Sequence, residues 1–187
     1  DETYQKGVAE FCKAMKAVDP NISLMGAFPS PGLVQNAGEY LDYVCPHHYT
    51  LDLAACEASF KEIAGMLAST PGCGKIKIGV TEWNVTAGSF GTGRSTLLTL
   101  SSALRNARYL NLLFRHSDLA QIACRSNMTN SMCSGMIQTS PAGLYTTPSY
   151  QVMKLYAHHA KPVYVPIESP TDGPDIAVSV SEDRKSL

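Results

Sequence analysis

Segments with the apolar spacing of helices alternate with short apolar strands along most of this 187-residue chain. Proline- and glycine-rich breaks such as "DPN", "PSPG" and "TPGCG" separate them. The predicted helices are residues 3–18, 52–68, 95–115 and 148–160, and the predicted strands are residues 22–28, 41–49, 76–83 and 134–139. This alternation predicts parallel strands covered by helices, which is an α/β fold.

Two of the predicted helices carry a regular apolar stripe, and such a stripe is typical of a buried helix face. In the first helix the stripe consists of Tyr4, Val8, Phe11, Met15 and Val18. In the long helix it consists of Leu97, Leu100, Leu104, Ala107, Leu110 and Phe114. Both stripes are expected to face the core.

Polar side chains recur where the predicted strands end, and this distinguishes between two α/β architectures. An open doubly wound sheet usually carries a nucleotide-binding motif, but the chain has no GxGxxG or GxxxxGK[ST]; the glycine-rich "GSFGTG" at 88–93 lacks the lysine. Functional residues at the C-terminal ends of several parallel strands are instead typical of a (β/α)₈ barrel. The end residues are His47, His48, Tyr49, Glu82, Gln138 and Thr139.

Four predicted strands are half of the eight that a closed barrel needs, in about 250 residues. After Pro162 the helical spacing ends, and "DIAVSVS" alternates like the first strand of an all-β module. We therefore predict half a barrel over residues 1–161, followed by a linker and the start of a β-sandwich over residues 162–187. Such a half sheet has open edges, so the chain is not expected to fold alone.

Composition excludes several classes of partner. The chain is 44% hydrophobic and 17% charged, with a net charge of −1 and no basic run, which argues against a nucleic-acid or anionic-membrane partner. No apolar run has the 18 or so residues that span a bilayer. The six cysteines form no CxxC pair, so they permit disulfides without indicating a zinc site.

Glu82 is the strongest single signal, since it ends the apolar strand "KIKIGVTEW" beside the only tryptophan of the chain. Buried strands seldom carry a carboxylate unless it is paired or functional. From the residues alone three roles stay open: a glycosidase nucleophile or acid, a general base, or a structural ion pair.

His47 and Tyr49 flank His48 on another strand and therefore share one face. Either they line a sugar pocket, or they are a hydrogen-bonded core histidine and a packed tyrosine. A metal set drawn from Cys45, His47 and His48 has no partner cysteine pair, so no metal and no cofactor are predicted.

The chain contains, in order, "LDYVCPHHY", "VTEWNVTAG", "ALRNARYLNLLFRHSDL", "RSNMTNSMCSGMIQT" and "LYTTPSYQVMKLYAHHA". Together these segments, which extend over essentially the whole chain, resemble the α-L-arabinofuranosidases of glycoside hydrolase family 51. The resemblance implies a (β/α)₈ catalytic barrel followed by a β-sandwich, with the four strands of this chain as strands 5–8. It also implies a retaining double displacement that uses two glutamates.

Carried over position by position, the resemblance makes Glu82 the catalytic nucleophile, and His47 and Tyr49 residues that contact substrate or nucleophile. The family's acid/base glutamate belongs to an Asn-Glu pair that would lie just upstream of Asp1. Glu2 already begins a helix and is not assigned that role.

The implied function is release of terminal α-L-arabinofuranosyl residues from arabinose-containing saccharides such as hemicellulose. The expected partners are the saccharide and the missing N-terminal barrel half, as a companion chain or an unseen segment. Two alternatives stay open: the same barrel acting on a β-xyloside or β-glucan, and a non-catalytic sugar-binding subunit. The sequence decides neither the compartment nor whether the protein forms a homo-oligomer.

Overall fold

A computed structural model of the chain describes residues 2–86, 91–130, 134–168 and 173–187, and only the backbone of residues 91–94. The chain divides into two compact units. The first comprises Asp1–His48, Ala54–Glu82 and Asp118–Cys124, and the second comprises Tyr49–Leu53, Trp83–Ser117 and Arg125–Leu187.

Helices and strands alternate along the described residues as far as the fifth strand. The helices are α1 (Glu2–Val18), α2 (Pro31–Ala37), α3 (Leu53–Ser69), α4 (Leu100–Arg115) and α5 (Pro148–His159), and a 3₁₀ helix spans Gly91–Leu98. The strands are β1 (Met25–Ala27), β2 (Tyr43–Cys45), β3 (His47–Tyr49), β4 (Lys77–Asn84), β5 (Ala120–Arg125), β6 (Ile137–Ser140), β7 (Gly143–Thr146), β8 (Val163–Val165) and β9 (Val178–Val180).

The main sheet has β4 at its centre. β1 pairs with β2 and β2 pairs with β4, both in parallel, while β3 and β5 also pair with β4. Pro46 separates β2 from β3, because a proline has no N–H to donate to a sheet. The predicted α/β class with parallel strands is therefore confirmed.

The core of the first unit lies between this sheet and its helices. Val44, Ile78 and Val80 of the strands are fully buried, as is Phe60 of α3. Gly26 in β1 allows α2 to pack closely, since a Cβ at this position would lie 2.9 Å from a methyl carbon of Leu33.

Helix α2 lies where the sequence pattern predicts a loop. Ser30 caps this helix by accepting a hydrogen bond from the Leu33 backbone N–H, and Pro31 is at its first turn. The proline and glycine of "PSPG" were interpreted as helix breakers, although a serine followed by a proline is also a typical helix start.

The fourth predicted strand, residues 134–139, is found in part as β6, but its expected place in the parallel sheet was wrong. β5 is the strand that joins the main sheet instead, by pairing with β4. Just before β5, the Leu119 carbonyl accepts a hydrogen bond from the Ile78 N–H at 2.9 Å. Residues 137–140 instead form an antiparallel hairpin with β7, which removes Gln138 and Thr139 from the main sheet. Four consecutive residues of β5 are exposed, so its sequence lacks the apolar alternation that marks a strand.

The predicted apolar stripe of α1 was wrong as a buried face, and that of the long helix was only partly right, since Leu97 in the 3₁₀ helix is buried at 3%. In α1, Phe11 and Val18 are 74% and 88% exposed, and the buried residue is Cys12. In α4, Leu100 and Leu104 are exposed, and the buried face is the one that carries Ser102, Ala103, Asn106, Tyr109, Asn111 and Leu112.

Two of the inward polar residues of α4, Asn106 and Asn111, hydrogen-bond to α5 within the second unit. Asn106 donates to the Ser149 hydroxyl of α5 at 2.9 Å, and the Tyr156 hydroxyl donates to the Asn111 side-chain oxygen at 2.6 Å. Such bonds offset the cost of burying amides, so this helix packs through a partly polar face that a hydrophobicity pattern does not reveal.

The C-terminal region is a two-stranded antiparallel sheet formed by β8 and β9. Asp175, which lies between these strands in sequence, accepts hydrogen bonds from Arg115 at 2.8 Å and from Arg108 at 3.3 Å, both on α4. Partial burial opposes ionisation, but the hydrogen bonds from Arg115 and Asn111 hold the pKa of Asp175 below its ordinary value. The ion pairs thus tether this region to α4.

Candidate active site

Glu82 lies near the C-terminal end of β4, at the point where the buried strand becomes accessible. Ile78 to Val80 are buried, Thr81 and Glu82 are exposed, and Trp83 is buried again. The Glu82 side chain retains 50% of its accessible surface. A carboxylate in this position is anchored by a rigid strand and still open to a ligand.

His47 is the imidazole neighbour of this carboxylate. It begins β3, and its Nδ1 lies 3.8 Å from Glu82 Oε2. The structure therefore brings together two of the three side chains that the sequence analysis singled out.

Thr81 contacts the other ring nitrogen of His47, Nε2. Its hydroxyl lies 3.2 Å from His47 Nε2 and 2.8 Å from the Cys45 thiol sulfur. The Thr81 hydroxyl can donate to Nε2 or accept from it, according to whether this ring nitrogen carries a proton. The sequence analysis missed Thr81, because a hydroxyl beside a carboxylate carries no distinctive pattern.

His48 points away from this group, as the strand alternation predicted. It is buried, lies 3.1 Å from the Ser59 hydroxyl through Nε2, and packs against Phe60 with ring centroids 5.0 Å apart. Burial, and then the neighbouring His47 charge, lower the pKa of His48 to about 4. His48 is thus a neutral core histidine at pH 7.

Tyr49 ends β3, and 36% of its surface is exposed. The burial pattern along β3 is exposed, buried, exposed, so His47 and Tyr49 are both exposed to solvent, whereas His48 is buried. A role in contacting substrate or nucleophile stays a prediction.

Phe28 is a further accessible side chain that the sequence analysis did not single out. It follows β1 directly, is 74% exposed, and its ring lies 6.3 Å from the His47 ring. Its φ of 55° is in the left-handed region, which costs a bulky non-glycine residue on the order of 1–3 kcal/mol. The surrounding fold maintains this conformation although the Phe28 ring is not buried by it.

Arg125 was also missed. It ends β5, is buried, and donates from one guanidinium nitrogen to the backbone carbonyls of Asn127 and Ser134 at 3.2 and 3.1 Å. Burial lowers the pKa of Arg125 to about 10, so it remains charged at neutral pH. It links the backbone carbonyls of Asn127 and Ser134, and "RSN" in the sequence is its only signal.

Trp83 is 1% exposed and stacks on Tyr109 with ring centroids 4.4 Å apart, so it packs within the protein. In the part of the chain that the structure describes, no group of three His, Cys, Asp or Glu side chains could hold a metal ion. None of the described helices is both long and apolar enough to cross a membrane.

A carboxylate and an imidazole meet at the C-terminal end of a parallel sheet, the edge at which α/β barrels and open α/β sheets bind ligands. Fold and candidate site thus define a part of an α/β protein. A model of the alpha-L-arabinofuranosidase C-terminal domain matches residues 81–184, more than half of the 187 residues. The chain belongs to that family.

Solved structures confirm the resemblance to family 51. The thermostable GH51 alpha-L-arabinofuranosidase from Thermotoga petrophila RKU-1 is 23% identical, with a TM-score of 0.86 over 98% of this chain and 46% of that chain. The alpha-L-arabinofuranosidase from Thermotoga maritima, solved as an arabinose complex, is also 23% identical, with a TM-score of 0.83 over 98% and 45%. A GH39 beta-xylosidase from Caulobacter crescentus is 19% identical, with a TM-score of 0.61 over 83% and 37%.

These likenesses concern the fold, and the chain spans less than half the length of the two arabinofuranosidases. The α/β chain thus corresponds to the C-terminal part of such proteins. The search of curated proteins found no match.

Proposed function

We propose that this chain is the C-terminal part of a retaining glycoside hydrolase that releases terminal α-L-arabinofuranosyl residues from arabinose-containing poly- or oligosaccharides, including hemicellulose. The observation that carries the proposal is the half-exposed Glu82 carboxylate at the end of β4, 3.8 Å from His47 Nδ1. Membership of the family and the fold shared with family 51 structures support it.

Glu82 acts as the nucleophile. Its carboxylate attacks the anomeric carbon, the glycosidic C–O bond breaks, and a covalent glycosyl-enzyme forms while an acid protonates the leaving oxygen. Water, deprotonated by the same acid/base residue, then displaces Glu82 and restores its carboxylate. In a retaining enzyme the two carboxyl groups lie about 5–5.5 Å apart.

His47 and Tyr49 hold the substrate and the nucleophile in position. His47 Nδ1 lies 3.8 Å from Glu82 Oε2, close enough for this side chain to orient the carboxylate and to contact the sugar. Tyr49, through its hydroxyl, donates a hydrogen bond to the nucleophile or to the sugar. Both are supported by their accessible positions on β3.

The acid/base glutamate comes from residues N-terminal to this sequence, in a segment of the same protein or in a companion chain that supplies the first half of the barrel. Residues 1–161 then form strands 5–8 of the barrel with their helices, and residues 162–187 begin a β-sandwich. The span of less than half of the arabinofuranosidase structures supports this arrangement.

Covalent trapping tests the nucleophile directly. The full protein is incubated with a 2-fluoro-arabinofuranosyl donor that carries a good leaving group, and adducts are located by peptide mass spectrometry. Such a donor needs little acid assistance, so the experiment depends mainly on Glu82 and its pocket. The proposal expects one adduct, on Glu82.

Glu82→Ala is expected to abolish turnover of an aryl arabinofuranoside with little loss of folding, and added azide should restore turnover with formation of the β-arabinofuranosyl azide. Glu62→Ala, an exposed glutamate on α3, is the matched control and should keep full activity. Retained activity in Glu82→Ala contradicts the assignment.

Two further outcomes decide between substrates. An adduct on Glu82 only with a 2-fluoro-xylosyl donor indicates a β-xylosidase, in line with the fold likeness to the GH39 enzyme. Saccharide binding without an adduct from any donor indicates a non-catalytic sugar-binding subunit.

A further inference from the structure

We propose that Cys45 is a positioning residue of the candidate site: its thiol orients the Thr81 hydroxyl, and that hydroxyl determines which ring nitrogen of His47 carries the proton. The proposal deepens the proposed function and rests on it only for the effect on turnover. The three residues belong to β2, β3 and β4 of the main sheet and lie within the first compact unit.

The thiol and the imidazole contact the same hydroxyl. Thr81 Oγ1 lies 2.8 Å from Cys45 Sγ and 3.2 Å from His47 Nε2. Cys45 ends β2 and His47 begins β3, and both strands pair with β4, which carries Thr81. Cys45 is 5% exposed and Thr81 is β-branched, so neither side chain has much rotational freedom. The contacts are therefore fixed by the sheet.

The two contacts of Thr81 are not independent, because a hydroxyl has a single proton to donate. The unprotonated nitrogen of an imidazole is a full acceptor, whereas a thiol sulfur is only a weak one. We therefore expect the hydroxyl to donate to His47 Nε2 and to accept from the Cys45 S–H. The Pro46 carbonyl, 3.8 Å from the same sulfur, is a more distant acceptor for the thiol proton.

This direction of hydrogen bonding determines the state of His47. When Nε2 accepts, a neutral imidazole carries its proton on Nδ1, the nitrogen that lies 3.8 Å from Glu82 Oε2. Without the thiol, the Thr81 hydroxyl loses the donor that sets its direction, and it can also accept from a protonated Nε2. A buried residue that does not touch the substrate thus controls the side of the imidazole that faces the carboxylate.

NMR of the full protein tests this step without reference to activity. The ¹⁵N chemical shifts of the His47 ring, identified by their loss in His47→Gln, report which nitrogen carries the proton. They are recorded at about pH 8.5, where a histidine is ordinarily neutral. We expect protonation mainly on Nδ1 in the unaltered protein, a mixture of the two forms in Cys45→Ala, and mainly Nδ1 again in Cys45→Ser, whose hydroxyl can also donate to Thr81.

Three results of this measurement overturn the proposal. The first is a proton mainly on Nε2 in the unaltered protein, and the second is a set of ring shifts that Cys45→Ala does not alter. The third is the same change in Cys45→Ala and Cys45→Ser, since it would make the size of the side chain the cause and not its donor. Each result holds whichever residue covalent trapping identifies as the nucleophile.

Cys12 supplies a matched control, because it is also 5% exposed but lies on α1. Cys12→Ala removes a buried thiol as Cys45→Ala does, and the unfolding free energy of both variants is measured in urea. Cys12→Ala should leave the His47 ring shifts and kcat unchanged. A change of the ring shifts in Cys12→Ala equal to that in Cys45→Ala would mean that loss of stability is the cause and would overturn the proposal.

Kinetics with an aryl arabinofuranoside test the effect on turnover. Cys45→Ala should lower kcat about fivefold, less than loss of the Thr81 hydroxyl itself, because a thiol is a weak donor. In a Thr81→Val background the same substitution should lower kcat no further, since its effect passes through the hydroxyl that is already absent. An equal fall in both backgrounds shows that Cys45 acts independently of Thr81 and overturns the proposal.

Discussion

His48 provides the most quantitative prediction for this protein, because it is a buried histidine that stays neutral in the folded state. Its surroundings are the Ser59 hydroxyl, the Phe60 ring and the neighbouring His47. Burial and the His47 charge lower the pKa of His48 to about 4, against an ordinary value of 6.5. We expect this residue to make the free energy of unfolding depend strongly on pH.

The direction and size follow from linkage. As the pH falls below 6.5 the unfolded chain takes up the proton, while the folded protein stays neutral at His48 down to about pH 4. Stability is therefore fully present above pH 6.5 and decreases as the pH falls towards 4. The pKa difference corresponds to about 3 kcal/mol of lost stability over this interval.

The assay is urea unfolding of the full protein at pH 7.5, 6, 5 and 4.5, repeated for His48→Gln. Glutamine can still hydrogen-bond to Ser59 but does not titrate, so the variant starts less stable and loses less stability as the pH falls. His158→Gln, which removes an exposed histidine from α5, controls for the loss of a histidine as such. If the unaltered protein and His48→Gln lose stability in parallel, His48 is not the buried neutral group described here.

The remaining predictions concern the site and the C-terminal tether. Tyr49→Phe should lower kcat more than it raises KM if the hydroxyl contacts the nucleophile, and an unchanged kcat would make Tyr49 a packing residue only. Thr81→Val removes the hydroxyl that lies 3.2 Å from His47 Nε2. It should lower kcat by about tenfold, as expected for the loss of one hydrogen bond of about 1 kcal/mol or slightly more. Thr81→Ser should restore kcat, and equal kcat values in the two variants would exclude a positioning role for Thr81. Asp175→Asn should reduce the unfolding free energy at pH 7 by about 1 kcal/mol, since its ion pair with Arg115 is only partly buried. Because the pKa of Asp175 is held below its ordinary value, its contribution to the unfolding free energy is present above about pH 4 and lost at lower pH. A stability difference between Asp175→Asn and the unaltered protein that persists at pH 2 would contradict this account.

The sequence was sufficient for features that depend on local order. Alternation of apolar strands and helices predicted the α/β class, and strand periodicity placed His47 and Tyr49 on one face and His48 on the other, in line with the burial pattern of β3. The polar end of "KIKIGVTEW" likewise identified Glu82 before any contact was known. The resemblance to family 51 came from ordered motifs, and the family model and solved structures confirmed it.

The pairing of strands and the contacts between helices could not be predicted from sequence patterns. β5 has four exposed residues in succession and is a strand because its backbone pairs with β4, whereas the more strand-like 137–140 forms a hairpin with β7. The stripe of α4 failed in part for a related reason: Asn106 is buried with its amide nitrogen donating to the Ser149 hydroxyl, and a hydrophobicity pattern cannot contain that partner.

The sequence by itself thus determined the class of fold, the family and the carboxylate on which the proposed chemistry depends, since each is carried by the order of residues along one segment. Only the tertiary structure decided what surrounds that carboxylate. The approach of His47 to Glu82, the hydroxyl of Thr81 beneath His47, and the exposed ring of Phe28 beside it arise from strands that are distant in sequence and adjacent in the sheet. Hydrogen bonding between strands sets these neighbours, and it depends on backbone pairing that no single segment encodes.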